Sequence, residues 1–162
     1  RDIGVTGVQT CALPISQDLL AEEGLKYTLD LFHDDQPMPV RTRSGRRFVS
    51  VPYMMETNDT PVINFKHNAP GTYLEIIKRQ FDQLYEEGAE SGTVMCVPLH
   101  PYLIGQPHRL QVLDEALRYV TSHDRVWLAT GREIAAWFEA NYHDRFVDWM
   151  KPFSAAPAEA VR

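Results

Sequence analysis

Long apolar runs are missing from this chain of 162 residues. None approaches the roughly 20 residues that a membrane-spanning helix needs, so no membrane span is expected. The opening "RDIGVTGVQTCALPIS" has no continuous apolar h-region. No secretory signal is therefore read, and a cytoplasmic location is expected. Cysteine is scarce: Cys11 and Cys96 stand far apart without a partner motif, which excludes a disulfide framework and a zinc ribbon. Basic charge is also short, with 16 Lys and Arg against 22 Asp and Glu, a net charge of −6. That is the wrong balance for a nucleic-acid footprint. The one basic cluster, "VRTRSGRR" at 40–47, reads as a solvated loop tip around Ser44-Gly45. No glycine-rich phosphate loop follows an apolar run, and neither H-x-x-x-H nor H-E-x-x-H occurs. These residues therefore predict no nucleotide cradle and no complete metal site.

What is present is a sufficient core and a regular alternation of patterns. Hydrophobic residues make up 44% of the chain, enough for one domain or a piece of a larger one. "SQDLLAEEG" predicts a short helix, with Ser16 able to cap it and Gly24 to end it. "LKYTLDLF" and "RFVSVPYMME" predict strands, each closed by a polar, proline-containing loop. From Thr72 to about Glu87, Leu74, Ile77, Phe81 and Leu84 form one apolar helix face. "GTVMCVPLH" predicts a strand with both faces buried, because it scarcely alternates. "QPHRLQVLDEALRYVTSH" predicts a helix carrying Leu110, Leu113, Leu117 and Val120 on one side. "RVWLAT" predicts a short buried strand, and Thr130 and Glu133 have the spacing of a capping box for the helix after it. Past Asp148 no periodicity remains, so 149–162 is expected to be a loose tail.

Strands and helices alternating at this spacing predict an α/β fold of parallel strands with helical crossovers. About half of a β/α barrel is the expected form, and an open doubly wound sheet is the alternative. In either, chemistry collects where the strands end. Here those ends read "HDDQP", "ETND", His100 and "TGRE". His100 is the sharpest candidate, since imidazole titrates near neutral pH and can give or take a proton. The prolines flanking Leu99-His100 stiffen the turn that aims it. A histidine satisfied by a backbone carbonyl is the plain alternative. Asp34 and Asp35 are adjacent and point apart in an extended segment. One pins the loop, and Asp35 is the candidate to meet substrate. Asn58 and Asp59 precede Thr60-Pro61 and favour Asx turns, with substrate contact as the other reading. Tyr53 and Tyr102 flank the same polar end, and Tyr102 is the candidate to line a pocket. The remaining zinc arrangement these residues allow is His33, Asp35 and His100.

Residues 5–16, "VTGVQTCALPIS", resemble the conceptual translation of a sequencing adapter, so residues 1–16 are expected to be foreign to the fold. An ordinary strand is the alternative reading. The domain is then 17–148, and an N-terminal part is expected to be missing. "LLAEEGLKYTLDLFHDDQPMPV", "SVPYMMETNDTPVI", "GAESGTVMCVPLHPYLIGQPHR" and "SHDRVWLATGREIAAWF" together resemble the C-terminal half of the polysaccharide deacetylase family. The resemblance is strongest to its branch of peptidoglycan deacetylase-like proteins and metal-independent allantoinase. It implies a partial, distorted β/α barrel and hydrolysis of a carbon–nitrogen bond other than a peptide bond. It also implies that His100 in "PLHPYLIG" protonates the leaving amine. Zinc or a similar ion, where used, would be held by residues of the other half, which have no match here. The family's later Asp–Trp signature is absent, with "TND" in that neighbourhood. Two substrates stay open, an N-acetylated sugar and a cyclic amide or imide. The rival class is a non-catalytic binding or scaffold domain. Expected partners are a small-molecule or sugar substrate and, through open sheet edges, a second copy of the chain.

Overall fold

A computed structural model describes residues 15–154. The adapter-like segment as far as residue 14, with Cys11, and the chain end from 155 lie outside the described residues. The described residues divide into two compact units, one of residues 15–30, 37–51 and 129–154, the other of residues 31–36 and 52–128.

In the first unit, α1 (Ile15–Glu22) gives way to Gly24, whose φ of +91° suits the left-handed end of a helix. Arg46 donates to the carbonyls of Ala21 and Glu22 at 3.1 and 2.7 Å, satisfying the last turn of α1. The basic loop is thus tied to a helix end, with Arg43 paired to Glu22 and Arg47 to Asp144. Three two-residue strands follow: β1 (Tyr27–Thr28), β2 (Met38–Pro39) and β3 (Val49–Ser50). β3 lies in the middle, parallel to β1 and antiparallel to β2, with Tyr27 opposite Val49 and Met38 opposite Ser50. Val49 and Val51 pack against Ala135 and Phe138 of α4 (Gly131–Asn141). α4 begins with the predicted capping box: Thr130 and Glu133 bond reciprocally. Gly131 lets α4 approach β1, for a Cβ there would stand 2.9 Å from the Tyr27 ring. Beyond the last predicted helix, residues 143–154 form a further helix, α5 (His143–Ser154). Phe146, Trp149 and Phe153 recur along it at helical spacing, a period that Pro152 and the polar residues between them obscure.

The second unit is built around α2 (Pro70–Glu87) and α3 (Pro107–Thr121). Its core joins Val62 and Ile63, Tyr73 and Ile77, Leu103 and Ile104, and Ala116. The buried stripe of α2 begins at Tyr73, one position before the expected Leu74, and continues through Ile77, Phe81 and Leu84. On α3, Ala116 faces the core with Val112, Leu113 and Val120 beside it, while Leu110 and Leu117 are exposed. The small Ala116 lets the two helices come close, which rotates those leucines outward.

The expected set of four parallel strands is corrected. Among the described residues, 93–99 and 126–129 join no strand ladder, and the one ladder found is mixed, so no barrel closes. Met95 and Val97 pack on the core, but the segment is half-buried where burial on both faces was expected. Trp127 and Leu128 are 58% and 69% exposed, against the buried strand predicted there. The physical reason is that an apolar run becomes a two-faced inner strand only with neighbours on both edges. Here 93–99 is held by isolated bonds, such as Val94 N–H to Asp35 C=O at 2.8 Å.

Candidate functional site

Asp59 and His100 meet in the second unit, carried by two segments anchored in the same core. Asp59 stands at the head of a π-helical turn, Thr60–Phe65, whose Val62 and Ile63 are buried. Such turns are uncommon and often mark functional sites. Pro61 sits in its first turn, where a missing N–H costs nothing. Asn58 shapes the approach: its Oδ1 accepts the Thr60 N–H at 2.9 Å, and its Nδ2 donates to the Tyr53 hydroxyl at 2.9 Å. The Asx turn expected of this pair is therefore made by Asn58, and it leaves Asp59 free to reach across.

His100 is followed by a tight turn in which the Leu103 and Ile104 N–H groups both donate to its carbonyl, at 2.8 and 3.0 Å. Leu103 and Ile104 then enter the core. Gly105 closes the turn, since a Cβ there would collide with the Pro101 carbonyl oxygen. The turn fixes the backbone that carries the ring.

The contact between the two segments is double. The His100 backbone N–H donates to Asp59 Oδ2 at 2.7 Å, and His100 Nδ1 lies 2.6 Å from Asp59 Oδ1. The Asp59 side chain is 0% exposed and that of His100 24%. A carboxylate only accepts, so it holds the imidazole proton on Nδ1. The Thr60 hydroxyl, 3.0 Å from Nδ1, shares that side of the ring. Every hydrogen bond of the ring among the described residues thus runs through Nδ1, leaving Nε2 as the nitrogen for a ligand. The Tyr102 ring stands edge-on to His100 at 5.6 Å and is 68% exposed, an aromatic surface beside that nitrogen.

Asp35 makes its hydrogen bonds and charge contacts with other residues of the unit. The Asp35 carbonyl accepts from Val94, and His100 lies six positions further along the segment, up to about 20 Å if extended. Burial, then the charges of Asp34, Glu87 and Glu56, push the Asp35 carboxyl above its ordinary value. Its hydrogen bonds and charge partners do not include His100. Among the described residues no three His, Cys, Asp or Glu converge as a metal would require, so His33, Asp35 and His100 do not form a zinc site. The residues present do not fit the ion that the resemblance implies, and no step is routed through one. The Cys96 thiol, pushed up by burial, is no ready nucleophile.

Thr57, Thr60 and Tyr73 were not singled out from the sequence. Tyr73 was findable: it extends the 77–81–84 stripe by four residues toward the N-terminus, and a buried tyrosine hydroxyl requires a partner. The threonines carry no such signal, because hydroxyl contacts across about 40 positions leave no periodicity.

No family model matches the chain. A Schizosaccharomyces pombe protein named "Putative polysaccharide deacetylase" is 33% identical over 126 residues, covering 68% of this chain and 38% of that protein. The crystal structure of PuuE allantoinase superposes with a TM-score of 0.76 at 33% identity, over 85% of this chain and 45% of that one. The crystal structure of a "probable Polysaccharide deacetylase" from Pseudomonas aeruginosa PAO1 gives 0.73 at 31% identity, over 80% and 44%. The chain spans under half the length of each.

Proposed function

The chain belongs to the polysaccharide deacetylase family, and from that premise we propose that it serves the hydrolysis of a non-peptide carbon–nitrogen bond, with His100 as the general acid. The observation that carries this is the buried Asp59 carboxylate 2.6 Å from Nδ1 of a partly exposed imidazole. In this reading Asp59 holds the tautomer and steadies the imidazolium, while Nε2 faces the scissile bond. With Nδ1–H held by Asp59, the proton to be transferred is the one that Nε2 carries in the imidazolium form; as water adds to the carbonyl carbon and the C–N bond breaks, that proton passes to the departing nitrogen and the ring returns to its neutral Nδ1–H form. The group that activates the water is not among the described residues, so the chain alone is expected to turn over little or no substrate. Tyr102 offers its ring to the substrate. Asn58 acts by shaping the turn. Asp35, among the carboxylates of Asp34, Glu56 and Glu87, is assigned no step.

The leading substrate class is an N-acetylated sugar. The ring-opening hydrolysis of a cyclic amide or imide is the second reading, favoured by the likeness to an allantoinase structure at 33% identity. The test compares wild type, His100→Ala and Asp59→Asn in the complete gene product, on N-acetylglucosamine oligomers and on cyclic ureides. Either substitution is expected to lower kcat by about 10²–10⁴-fold with KM nearly unchanged. Unchanged turnover in His100→Ala removes it from the mechanism, and wild type inert on both substrates overturns the proposed class.

A further inference from the structure

Two buried hydroxyls outside the dyad form a brace behind it. Tyr73, on the first turns of α2, is 0% exposed, and its hydroxyl donates to the Thr57 carbonyl at 2.9 Å. Thr57 is itself 0% exposed, and its hydroxyl donates to the Cys96 carbonyl at 2.5 Å. Two residues on, the Asp59 N–H donates to the Pro98 carbonyl at 3.3 Å, and two further the His100 N–H returns to Asp59. The 57–59 and 96–100 segments are thus pinned side by side at two-residue intervals, although no regular ladder joins them. At the first pin a threonine hydroxyl stands where a ladder would use a backbone N–H.

Resting on the reading of His100 as proton donor, we propose that Thr57 and Tyr73 are positioning residues for it, setting the register in which Asp59 meets the imidazole. The argument is one of distance. A slip of one residue between the segments moves the carboxylate about 3.3 Å, beyond hydrogen-bond reach of Nδ1. Thr57 prevents that slip from the 96–100 side, and Tyr73 prevents it from the helix side. Burial pushes the Tyr73 phenol well above its ordinary range, so it remains a donor at any working pH.

The test is nuclear magnetic resonance of the isotope-labelled chain, following the downfield Nδ1–H proton of His100. The wild-type signal is compared with Thr57→Val, Thr57→Ser, Tyr73→Phe and Ile77→Val. Thr57→Val and Tyr73→Phe are expected to shift the resonance and speed its exchange about tenfold or more, as for a weakened hydrogen bond. Thr57→Ser restores the hydroxyl and is expected to restore the signal. Ile77→Val loosens the same core without touching a hydrogen bond, and is expected to lower stability while leaving the signal in place. If Thr57→Val does not fold, Tyr73→Phe against Ile77→Val decides the matter. A wild-type resonance in folded Thr57→Val or Tyr73→Phe overturns the proposal, and so does an equal shift in Ile77→Val. The signal reports the geometry of the dyad and not turnover, so it stands apart from the fate of the general-acid assignment.

Discussion

Single residues in this chain differ most in whether their partners lie nearby in sequence. Asp35 has one neighbour in sequence among its charge partners, Asp34, and its carboxyl is raised by burial first and by Asp34, Glu87 and Glu56 after it. A carboxyl raised in the folded state favours folding when protonated. Its penalty is therefore full above the raised folded value and vanishes below the unfolded value of 3.8. Asp35→Asn is expected to stabilise the chain near neutral pH by about 0.5 kcal/mol or less, the group being partly solvated. The gain should shrink as pH falls toward 4, and denaturant midpoints at pH 7 and pH 4 measure it. A gain that grows in acid would contradict the assignment. Asp59 has no such neighbour as its main partner. Its partner is about 40 positions away, and nothing in "TND" distinguishes a carboxylate that closes an Asx turn from one that grips an imidazole.

At the scale of elements, the features that came through best are those made within a few residues. The capping box of α4 is one: Thr130 N–H and Oγ1 both donate to Glu133 Oε2, at 2.7 and 2.8 Å. Those bonds hold the Glu133 carboxyl below its ordinary range, the backbone bond first. A depressed carboxyl contributes stability above its unfolded value of 4.5, and that contribution is lost as pH falls through the lower folded value. Thr130→Ala should cost about 1 kcal/mol at pH 7. The difference from wild type should narrow at pH 3, as read by thermal melts. The turn after His100 makes a second prediction. Gly105→Ala forces a Cβ against the Pro101 carbonyl, which should cost about 1–3 kcal/mol and disturb the His100 N–H resonance. An unchanged melting temperature would show that the turn yields without strain. Strands fared worse than helices because a helix bonds to itself, whereas 93–99 needs edges supplied from outside.

For the molecule as a whole, apolar side chains that the sequence predicts as interior lie open. Phe32, Leu99, Trp127 and Leu128 are exposed, all in the second unit, and the 93–99 segment joins no ladder among the described residues. Exposed apolar surface beside a segment held outside any ladder invites association. The chain is expected to sediment as concentration-dependent dimers or larger species, and Trp127→Lys with Leu128→Lys should shift it toward monomer. A wild-type chain that remains monomeric at high micromolar concentration would refute this. The relatives it matches are more than twice as long as the stretch they share with it.

Periodicity and punctuation in the sequence determined α1 to α4, the stop at Gly24, the cap at Thr130 and the α/β class, because each depends on residues within a turn or two. The tertiary structure alone decided that Asp59, and not Asp35, holds the imidazole, that Tyr73 and Thr57 stand behind it, and that the ladder is short and mixed. Those outcomes depend on which distant backbone groups come within 3 Å of one another, a quantity set by packing and register that local pattern does not encode.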